Sequence, residues 1–340
     1  MRKVLSIFLI FMILLIQYSK VGLLDVNASN LEGVNVVVSI PAMATIIGPI
    51  LLPQDNLTVL LPSNVEPHSF TLDPITLDIA LKADIIVTSG HIGWEQQLEK
   101  VANENGKIVF DPLKMLENRL ILLDIPGGGK NLHGYWLLPE NVRIIVEEFT
   151  KLISYYRPSL AQKYHENLIK YVRDIDRLKN FALENSKERG LFGNNVLIGF
   201  YEEQYVAYSF GLNVVDVLAG NEESLELSPQ KLETVRNQLL EGYIKYIMVS
   251  EVTKELPLYN YIEKLSSETG SKIIVVRVLD LPEIYDFRSL FSYNIGMIGA
   301  FETASKTSSL FQSNVFLETT IIFLMFNIIL IILIFRRAGR

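Results

Sequence analysis

The side chains of this sequence best suited to metal or acid–base chemistry are its histidines. Four are present: His68, His91, His133 and His165. His68 lies in the stretch LLPSNVEPHSFTLDP, directly after Pro67 and six residues before Pro74. Because proline disfavours helix in the residue before it, we predict an extended loop that leaves the apolar strand NLTVLL. Binding loops of α/β proteins leave their strands in this way. His68 is therefore a candidate ligand; the alternative is a histidine that only packs in the core or lies on the surface.

Composition and spacing exclude several other kinds of site. The chain has no cysteine, so disulfides, thiolate metal ligands and a lipid-modified N-terminal cysteine are ruled out. It has no HExxH motif, the helical arrangement that holds zinc in many proteases. The segment PGGGKN lacks the spacing of a phosphate-binding loop and the Ser or Thr that follows its lysine. We predict a turn there.

The N-terminus has the pattern of a secretory signal. Two basic residues precede a mostly apolar run from Val4 to Ile16, which is shorter than the roughly 20 residues that span a bilayer. Small residues in VNA, before Ser29, are typical of a cleavage site. We therefore predict a signal peptide over residues 1–28, with an uncleaved anchor as the alternative.

The C-terminus differs because its apolar segment is long enough to cross a membrane. Residues 315–335 contain one acidic residue, and three arginines follow within residues 336–340. Such a segment predicts a single transmembrane helix, and the arginines place the tail in the cytoplasm. The Ser/Thr-rich residues 303–314 are then a linker, and the rest of the chain faces outward. We predict localisation at the cell membrane with an extracellular ectodomain.

The part of the chain between these two ends is acidic. The whole chain has a formal net charge of −7. Residues 29–314 alone contain 25 basic and 36 acidic residues, a net charge of −11. This charge disfavours nucleic acid as a partner and is compatible with binding metal cations. The sequon NLT at Asn56 permits glycosylation of an exported chain.

The central region predicts an α/β fold with two similar parallel-sheet lobes. Apolar, β-rich runs alternate with amphipathic segments over residues 34–140 and again over residues 191–302, which is typical of βαβ units. Residues 141–190 lie between them, and up to Arg189 they contain no glycine and one interior proline, Pro158. We predict two connecting helices there, the second running over about residues 158–186 as a rigid connector between the lobes.

Several segments together resemble a known family. The first is EPHSFTLDPITLDIALKADIIVTSGHIGWEQQLEKV, the second is LHGYWLLPENVRIIVEEFTKLI, and later ones are RPSLAQKYHENLIKYVRDIDRL, YVAYSFGLNVV and VLDLPEIYDFRSLFSYN. Their order and spacing resemble the extracellular solute-binding proteins of zinc and manganese ABC transporters (the cluster A-I metal-binding family) over most of residues 34–302. The resemblance implies a metal ion held between the lobes and a permease partner in the membrane.

The resemblance also implies four metal ligands, of which His68, His133 and Asp280 stand at three of the family's positions. His133 departs from the family pattern because Trp136 follows it by three residues instead of two. The third family ligand falls on Phe200, which cannot bind metal. We prefer Glu202 in its place; Glu203, or neither glutamate, remains the alternative, since both could simply favour the start of a helix and stay solvated.

The remaining histidines have no ligand role in the family. We predict that His91 is a loop residue and that His165 lies on an exposed helix face. Two histidines and two carboxylates suit a hard or borderline divalent ion, so zinc, manganese and ferrous iron all stay open. The loop 113–132 contains no histidine, which weakens the case for a zinc-scavenging variant without excluding zinc.

We therefore predict a monomeric, membrane-anchored receptor that captures a divalent transition metal and delivers it to an ABC permease. It is predicted not to be an enzyme. Two alternatives stay open: a metallohydrolase, which would need an open metal position and a general base, and a surface adhesin or structural protein that has lost its metal, an idea that Phe200 favours.

Overall fold

The structure is a computed structural model that describes residues 33–62, 65–218, 229–279 and 285–300. The predicted signal peptide, linker, transmembrane helix and tail lie outside these residues, and so does Asp280. Within the described ranges, no helix combines the length and the apolar character needed to cross a bilayer.

The first lobe is built around a four-stranded parallel sheet. Its strands are β1 Asn35–Val38, β2 Asn56–Val59, β3 Ile85–Val87 and β4 Ile108–Phe110, in the order β2-β1-β3-β4. Its helices are α1 Pro41–Ile47, α2 Pro74–Leu81, α3 Gly93–Glu104 and α4 Pro112–Leu116. The central strands β1 and β3 are almost entirely apolar, because helices cover both faces of a parallel sheet and leave its interior strands without solvent.

Two helices lead from the first lobe to the second, as predicted. They are α5 Pro139–Tyr156 and α6 Ala161–Glu188, with a short 3-10 turn at Pro158–Leu160 between them. Proline cannot donate the hydrogen bond that would continue α5, so the chain turns at Pro158. The 28 residues of α6 span about 42 Å at 1.5 Å per residue.

Helix α6 contacts both lobes, which makes it the predicted connector. Near its start, the Asn167 side chain donates to the Ile50 carbonyl of the first lobe at 3.1 Å. Near its end, the Ser186 hydroxyl donates to the carbonyl of Phe210 at 2.6 Å. The face predicted to be apolar packs inward at Leu160, Tyr164, Leu168, Tyr171, Ile175 and Leu178.

The second lobe repeats the topology of the first. Its strands are β5 Asn195–Ile198, β6 Asn213–Val217, β7 Tyr246–Val249 and β8 Lys272–Val275, in the order β6-β5-β7-β8. Its helices are α7 Glu203–Ser209, α8 Pro229–Leu240, α9 Glu251–Glu255, α10 Leu258–Thr269 and α11, residues 287–300. The prediction of two similar parallel-sheet lobes joined by a long helix is confirmed. In such sheets ligands bind at the carboxyl ends of the strands, so the loops that follow the strands of the two lobes are where a site is expected.

Candidate metal centre

His68 is held in a short 3-10 turn, Pro67–Ser69, in the connection from β2 to α2. The Glu66 carboxylate accepts hydrogen bonds from the backbone N–H groups of His68 at 3.0 Å and Ser69 at 2.6 Å. The indole N–H of Trp94 donates to the Pro67 carbonyl at 3.0 Å, so the turn is also fixed to helix α3. These bonds hold the backbone of His68 while its side chain stays exposed.

His91 lies in the loop that leaves β3, and a buried carboxylate organises this loop. Glu95 accepts hydrogen bonds from the N–H groups of Ser89, Gly90 and Ile92 at 2.7, 3.0 and 3.3 Å. It also accepts from the Ser89 hydroxyl at 2.7 Å. Burial raises the pKa of the Glu95 carboxyl. The backbone on both sides of His91 is therefore wrapped around one carboxylate.

His133 follows β4 along the chain and is also held through its backbone. Its N–H donates to the side-chain oxygen of Asn131 at 2.9 Å. The next residue, Gly134, has φ of +81°, a conformation that residues with a Cβ rarely adopt. The Tyr135 hydroxyl donates to the Ser89 carbonyl at 3.0 Å, which joins this loop to that of His91.

These three loops bring His68, His91 and His133 together, a group we call the three-histidine cluster. The ring centroids are 5.6 Å apart for His68 and His91, 5.4 Å for His68 and His133, and 4.8 Å for His91 and His133. One nitrogen from each ring lies within 4.8 Å of the other two. Imidazole nitrogens bound tetrahedrally to one zinc ion lie roughly 3.4 Å apart, given zinc–nitrogen bonds of about 2.1 Å. Small side-chain rotations therefore suffice to place all three on one ion.

The cluster disfavours additional positive charge at His91. Burial, together with the neighbouring rings of His133 and His68, lowers the pKa of His91 from 6.5 to about 3. Its imidazole is thus neutral at physiological pH, and only a neutral imidazole can bind a metal ion.

Glu202, the predicted third ligand, lies beside this cluster at the start of helix α7. A Cβ placed on Gly134 would lie 2.9 Å from the Glu202 Cα and 3.1 Å from its Cβ, so the two backbones touch. The ring of Tyr201 lies 6.1 Å from that of His133. Glu202 is thus adjacent to the loop of His133, although the group of ligand atoms within 4.8 Å consists of the three histidines alone.

Glu203, the alternative third ligand, is directed into the second lobe. It is fully buried, and one carboxylate oxygen accepts from the N–H groups of Gly199 and Phe200 at 2.7 and 3.0 Å. The other oxygen accepts from the Ser250 N–H and the Thr253 hydroxyl, both at 2.5 Å. Burial raises the pKa of this carboxyl to about 7, against the lowering effect of these hydrogen bonds. Glu203 therefore ties the ends of β5 and β7 together, as Glu95 does for the loop of His91.

Hydrogen bonds join the His133 loop to the second lobe. The Asn131 amide group donates to the Tyr201 carbonyl at 2.9 Å and to the Gln204 side-chain oxygen at 2.8 Å. The Tyr205 hydroxyl donates to the Asn131 carbonyl and accepts from the Leu123 N–H at 3.2 Å. Asn131 thus contacts His133 with one end of its amide and the second lobe with the other.

Replacing Tyr205 with phenylalanine should lower the free energy of unfolding by about 1–3 kcal/mol, because it leaves a buried carbonyl and an N–H group without this partner. Thermal unfolding of the metal-free chain would measure the change. Tyr208→Phe, at an exposed position on the same helix, is the matched control. Equal unfolding temperatures for the two variants would show that these hydrogen bonds do not stabilise the contact between the lobes.

The structure brings some of the residues predicted as metal ligands together and not others. His68 and His133 meet, Glu202 lies next to them, and Asp280 lies outside the described residues. His91 was predicted only as a loop residue, whereas the structure places it in the cluster. Its signal was its position after β3, since His68 and His91 both follow strands of one parallel sheet and so emerge at the same edge. The fourth histidine, His165, lies on the exposed face of α6, as predicted.

Comparison with curated proteins finds relatives named for metal transport at low sequence identity. A metal ABC transporter substrate-binding lipoprotein of Lactococcus lactis subsp. lactis (strain IL1403) is 23% identical over 254 residues, 71% of this chain and 77% of that protein. The high-affinity zinc uptake system protein ZnuA of Bacillus subtilis (strain 168) is 22% identical over 248 residues, 67% of this chain and 72% of that protein.

Solved structures share the architecture at low sequence identity. The crystal structure of ZnuA aligns with a TM-score of 0.64 and 19% identity, covering 79% of this chain and 99% of that one. The solute-binding protein FpvC of Pseudomonas aeruginosa, in complex with Mn²⁺, aligns with a TM-score of 0.65 and 17% identity, covering 80% and 99%. The family model described as zinc-uptake complex component A, periplasmic, matches residues 36–298. Because this match covers most of the sequence, the chain belongs to that family of metal-binding solute-binding proteins.

Proposed function

We propose that this protein captures a divalent transition metal ion outside the cytoplasm, where its two lobes meet, and delivers the ion to the permease of an ABC transporter. The observation that carries the proposal is the three-histidine cluster, which lies at the edge of the first sheet and borders Tyr201 and Glu202 of the second lobe. Among family relatives, the Bacillus protein is named for zinc uptake, and the FpvC structures hold Ni²⁺ or Mn²⁺.

The two histidines of this proposal come from loops whose backbones are held by hydrogen bonds. His68 and His133 would each give an imidazole nitrogen, and Glu202 would give a carboxylate oxygen from the second lobe. Asp280, which follows β8 along the sequence and lies outside the described residues, is proposed as a further oxygen ligand. Binding then replaces the water around the ion by these side chains, and no covalent chemistry is needed.

The geometry between the lobes favours a small movement on binding. Helix α6 contacts both lobes, and the hydrogen bonds of Asn131 and Tyr205 cross directly between them. A stiff connecting helix and these hydrogen bonds favour a small closure of the two lobes over the ion, and they disfavour a large hinge motion.

The predicted signal peptide and C-terminal helix complete the proposal. They would keep a monomeric ectodomain outside the cell and close to the membrane, where tethering raises its effective concentration near the permease. No nucleic acid is expected to bind, given the net charge of −11 over residues 29–314.

The test is metal binding to the full-length chain, purified in detergent and stripped of metal. We expect one zinc, manganese or ferrous ion per chain and a rise in the unfolding temperature with that ion. His68→Ala and His133→Ala should remove the rise, while His165→Ala, at the exposed histidine of α6, should leave it unchanged. Loss of the transporter-dependent metal uptake in cells that lack the chain would test delivery.

Two results would overturn the proposal: hydrolytic turnover at this site, or no binding of any ion. Turnover has to be tested because three imidazoles also hold zinc in some hydrolytic enzymes. Ester and peptide hydrolysis should therefore be assayed with the metal-loaded chain. Turnover that His68→Ala removes would favour the metallohydrolase. Absence of binding for every ion tested would instead favour the adhesin or structural protein.

A further inference from the structure

We infer that His91 is the third imidazole ligand of this site, so that the first lobe alone supplies a three-histidine binding set for a nitrogen-preferring divalent ion. This inference rests on the proposed function, because it concerns the same metal ion. It differs from the ligand set that the sequence suggested, in which the third ligand comes from the second lobe.

The second lobe offers aromatic rings where that third ligand was expected. Phe200 has no atom that can bind a metal ion, and its N–H donates to Glu203. Its ring lies 5.5 Å from that of Tyr201, which in turn lies 6.1 Å from the ring of His133. These rings offer no nitrogen to the cluster, and residues 191–302 of the second lobe contain no histidine, so a third imidazole has to come from another element.

His91 has the position of such a nitrogen donor. Its ring is 4.8 Å from that of His133, the shortest of the three spacings in the cluster, and 5.6 Å from that of His68. The ring centroid of Trp136 lies 5.5 Å from that of His91, so the indole packs beside the imidazole. His91 is also partly buried, so its ring has little freedom to leave the cluster.

The hydrogen bonds around His91 also orient its ring for metal binding. The Ser89 hydroxyl donates its hydrogen to the buried Glu95 carboxylate at 2.7 Å. The same hydroxyl oxygen lies 3.1 Å from Nδ1 of His91, and it can only accept there because its hydrogen is used. Nδ1 therefore carries the ring proton and Nε2 carries the free lone pair. This is the arrangement of metal-bound histidines, whose second nitrogen donates to a fixed acceptor.

Three imidazole ligands narrow the class of ion. Imidazole suits zinc, nickel, copper and iron, whereas manganese and magnesium prefer carboxylate and carbonyl oxygens. A set of three nitrogens with at most one or two carboxylates therefore favours zinc or nickel over manganese. This also explains how the chain tolerates phenylalanine at position 200: the third nitrogen is supplied by the loop after β3.

The experiment compares His91→Ala with His68→Ala and with the control His165→Ala in the full-length, metal-free chain. Zinc affinity is measured by competition with a chromogenic chelator, and the coordination is followed by the visible absorption of bound Co²⁺. We expect His91→Ala to weaken zinc binding by about 100-fold or more, to change the Co²⁺ spectrum and to reduce the preference for zinc over manganese. His91→Gln, which keeps the size of the side chain, should give the same losses if His91→Ala folds poorly.

The outcomes separate this inference from the function on which it rests. If His68→Ala loses zinc while His91→Ala and His91→Gln keep wild-type affinity and the wild-type Co²⁺ spectrum, metal capture stands and His91 is not a ligand. If neither His68→Ala nor His91→Ala changes binding, the proposed metal centre itself is wrong. A change in the Co²⁺ spectrum with His91→Gln, but not with His165→Ala, supports direct coordination.

Discussion

Replacing Gly134 with alanine is expected to lower the free energy of unfolding by about 3 kcal/mol and to weaken metal binding in the same variant. The first cause is conformational, because φ at this residue is +81°. The second is steric, because the new Cβ would lie 2.9 Å from the Glu202 Cα and 3.1 Å from its Cβ. Both atoms belong to a rigid helix start, so the loop of His133 must shift, and His133 is the neighbouring residue.

The chain offers a close control for this substitution in Gly127. Its φ is +78°, nearly that of Gly134, but a Cβ on it would meet no atom within 4 Å. Gly127→Ala should therefore cost only about 1 kcal/mol, from the left-handed conformation alone. The difference between the two variants in thermal unfolding isolates the contact between the lobes. Equal costs, with metal affinity intact in Gly134→Ala, would mean that the close approach of Glu202 to the His133 loop is not part of the folded protein.

The second large effect concerns Glu203 and the pH dependence of stability. The pKa of this carboxyl in the folded chain is about 7, above its ordinary value of 4.5, because burial disfavours the charged form. Below 4.5 the carboxyl is protonated in both states. As pH rises from about 4.5 to 7, the unfolded chain releases the proton while the folded chain keeps it, so stability falls. A difference of about 2.5 pKa units corresponds to about 3 kcal/mol.

Glu203→Gln has no titrating carboxyl at this position. The difference in stability between wild type and this variant therefore isolates the contribution of Glu203. We expect the free energy of unfolding of the wild type, relative to Glu203→Gln, to decrease by about 3 kcal/mol between pH 4.5 and pH 8. The measurement is urea unfolding at both pH values with metal removed by a chelator. Glu233→Gln, at an exposed position of α8, is the control. A constant difference between wild type and Glu203→Gln across this range would contradict the raised pKa.

Buried carboxylates are used in a similar way in both lobes, which bears on how the site is built. Glu95 gathers the backbone of residues 89–92 around one carboxylate, and Glu203 gathers residues 199–200 and Ser250. In each case the organised backbone is close in sequence to a residue of the candidate metal centre, His91 or Glu202. Glu95 and Glu203 thus position loops, while the cluster itself is made of imidazoles.

The architecture could be predicted from the sequence because its signals are local. The runs VVV in β1 and IIV in β3 indicate strands buried on both faces, since only a covered parallel sheet leaves no polar side. Pro158 ends one helix because proline lacks the N–H that would continue it. The spacing of apolar residues from Leu160 to Leu178 identifies the buried face of α6, since a helix repeats every 3.6 residues. The segments that resemble the solute-binding family likewise depend on short-range order.

The candidate metal centre could be predicted only in part, because its residues converge from loops far apart in the chain. The sequence context indicated His68 and the family resemblance indicated His133, but the family's third ligand position falls in the second lobe, on Phe200, and Glu202 was predicted in its place. Only the tertiary structure places His91 within the cluster and directs Glu203 away from it. The physical reason is that convergence depends on which strands are neighbours in the sheet and on the hydrogen bonds that hold each loop, and neither is a property of local sequence spacing.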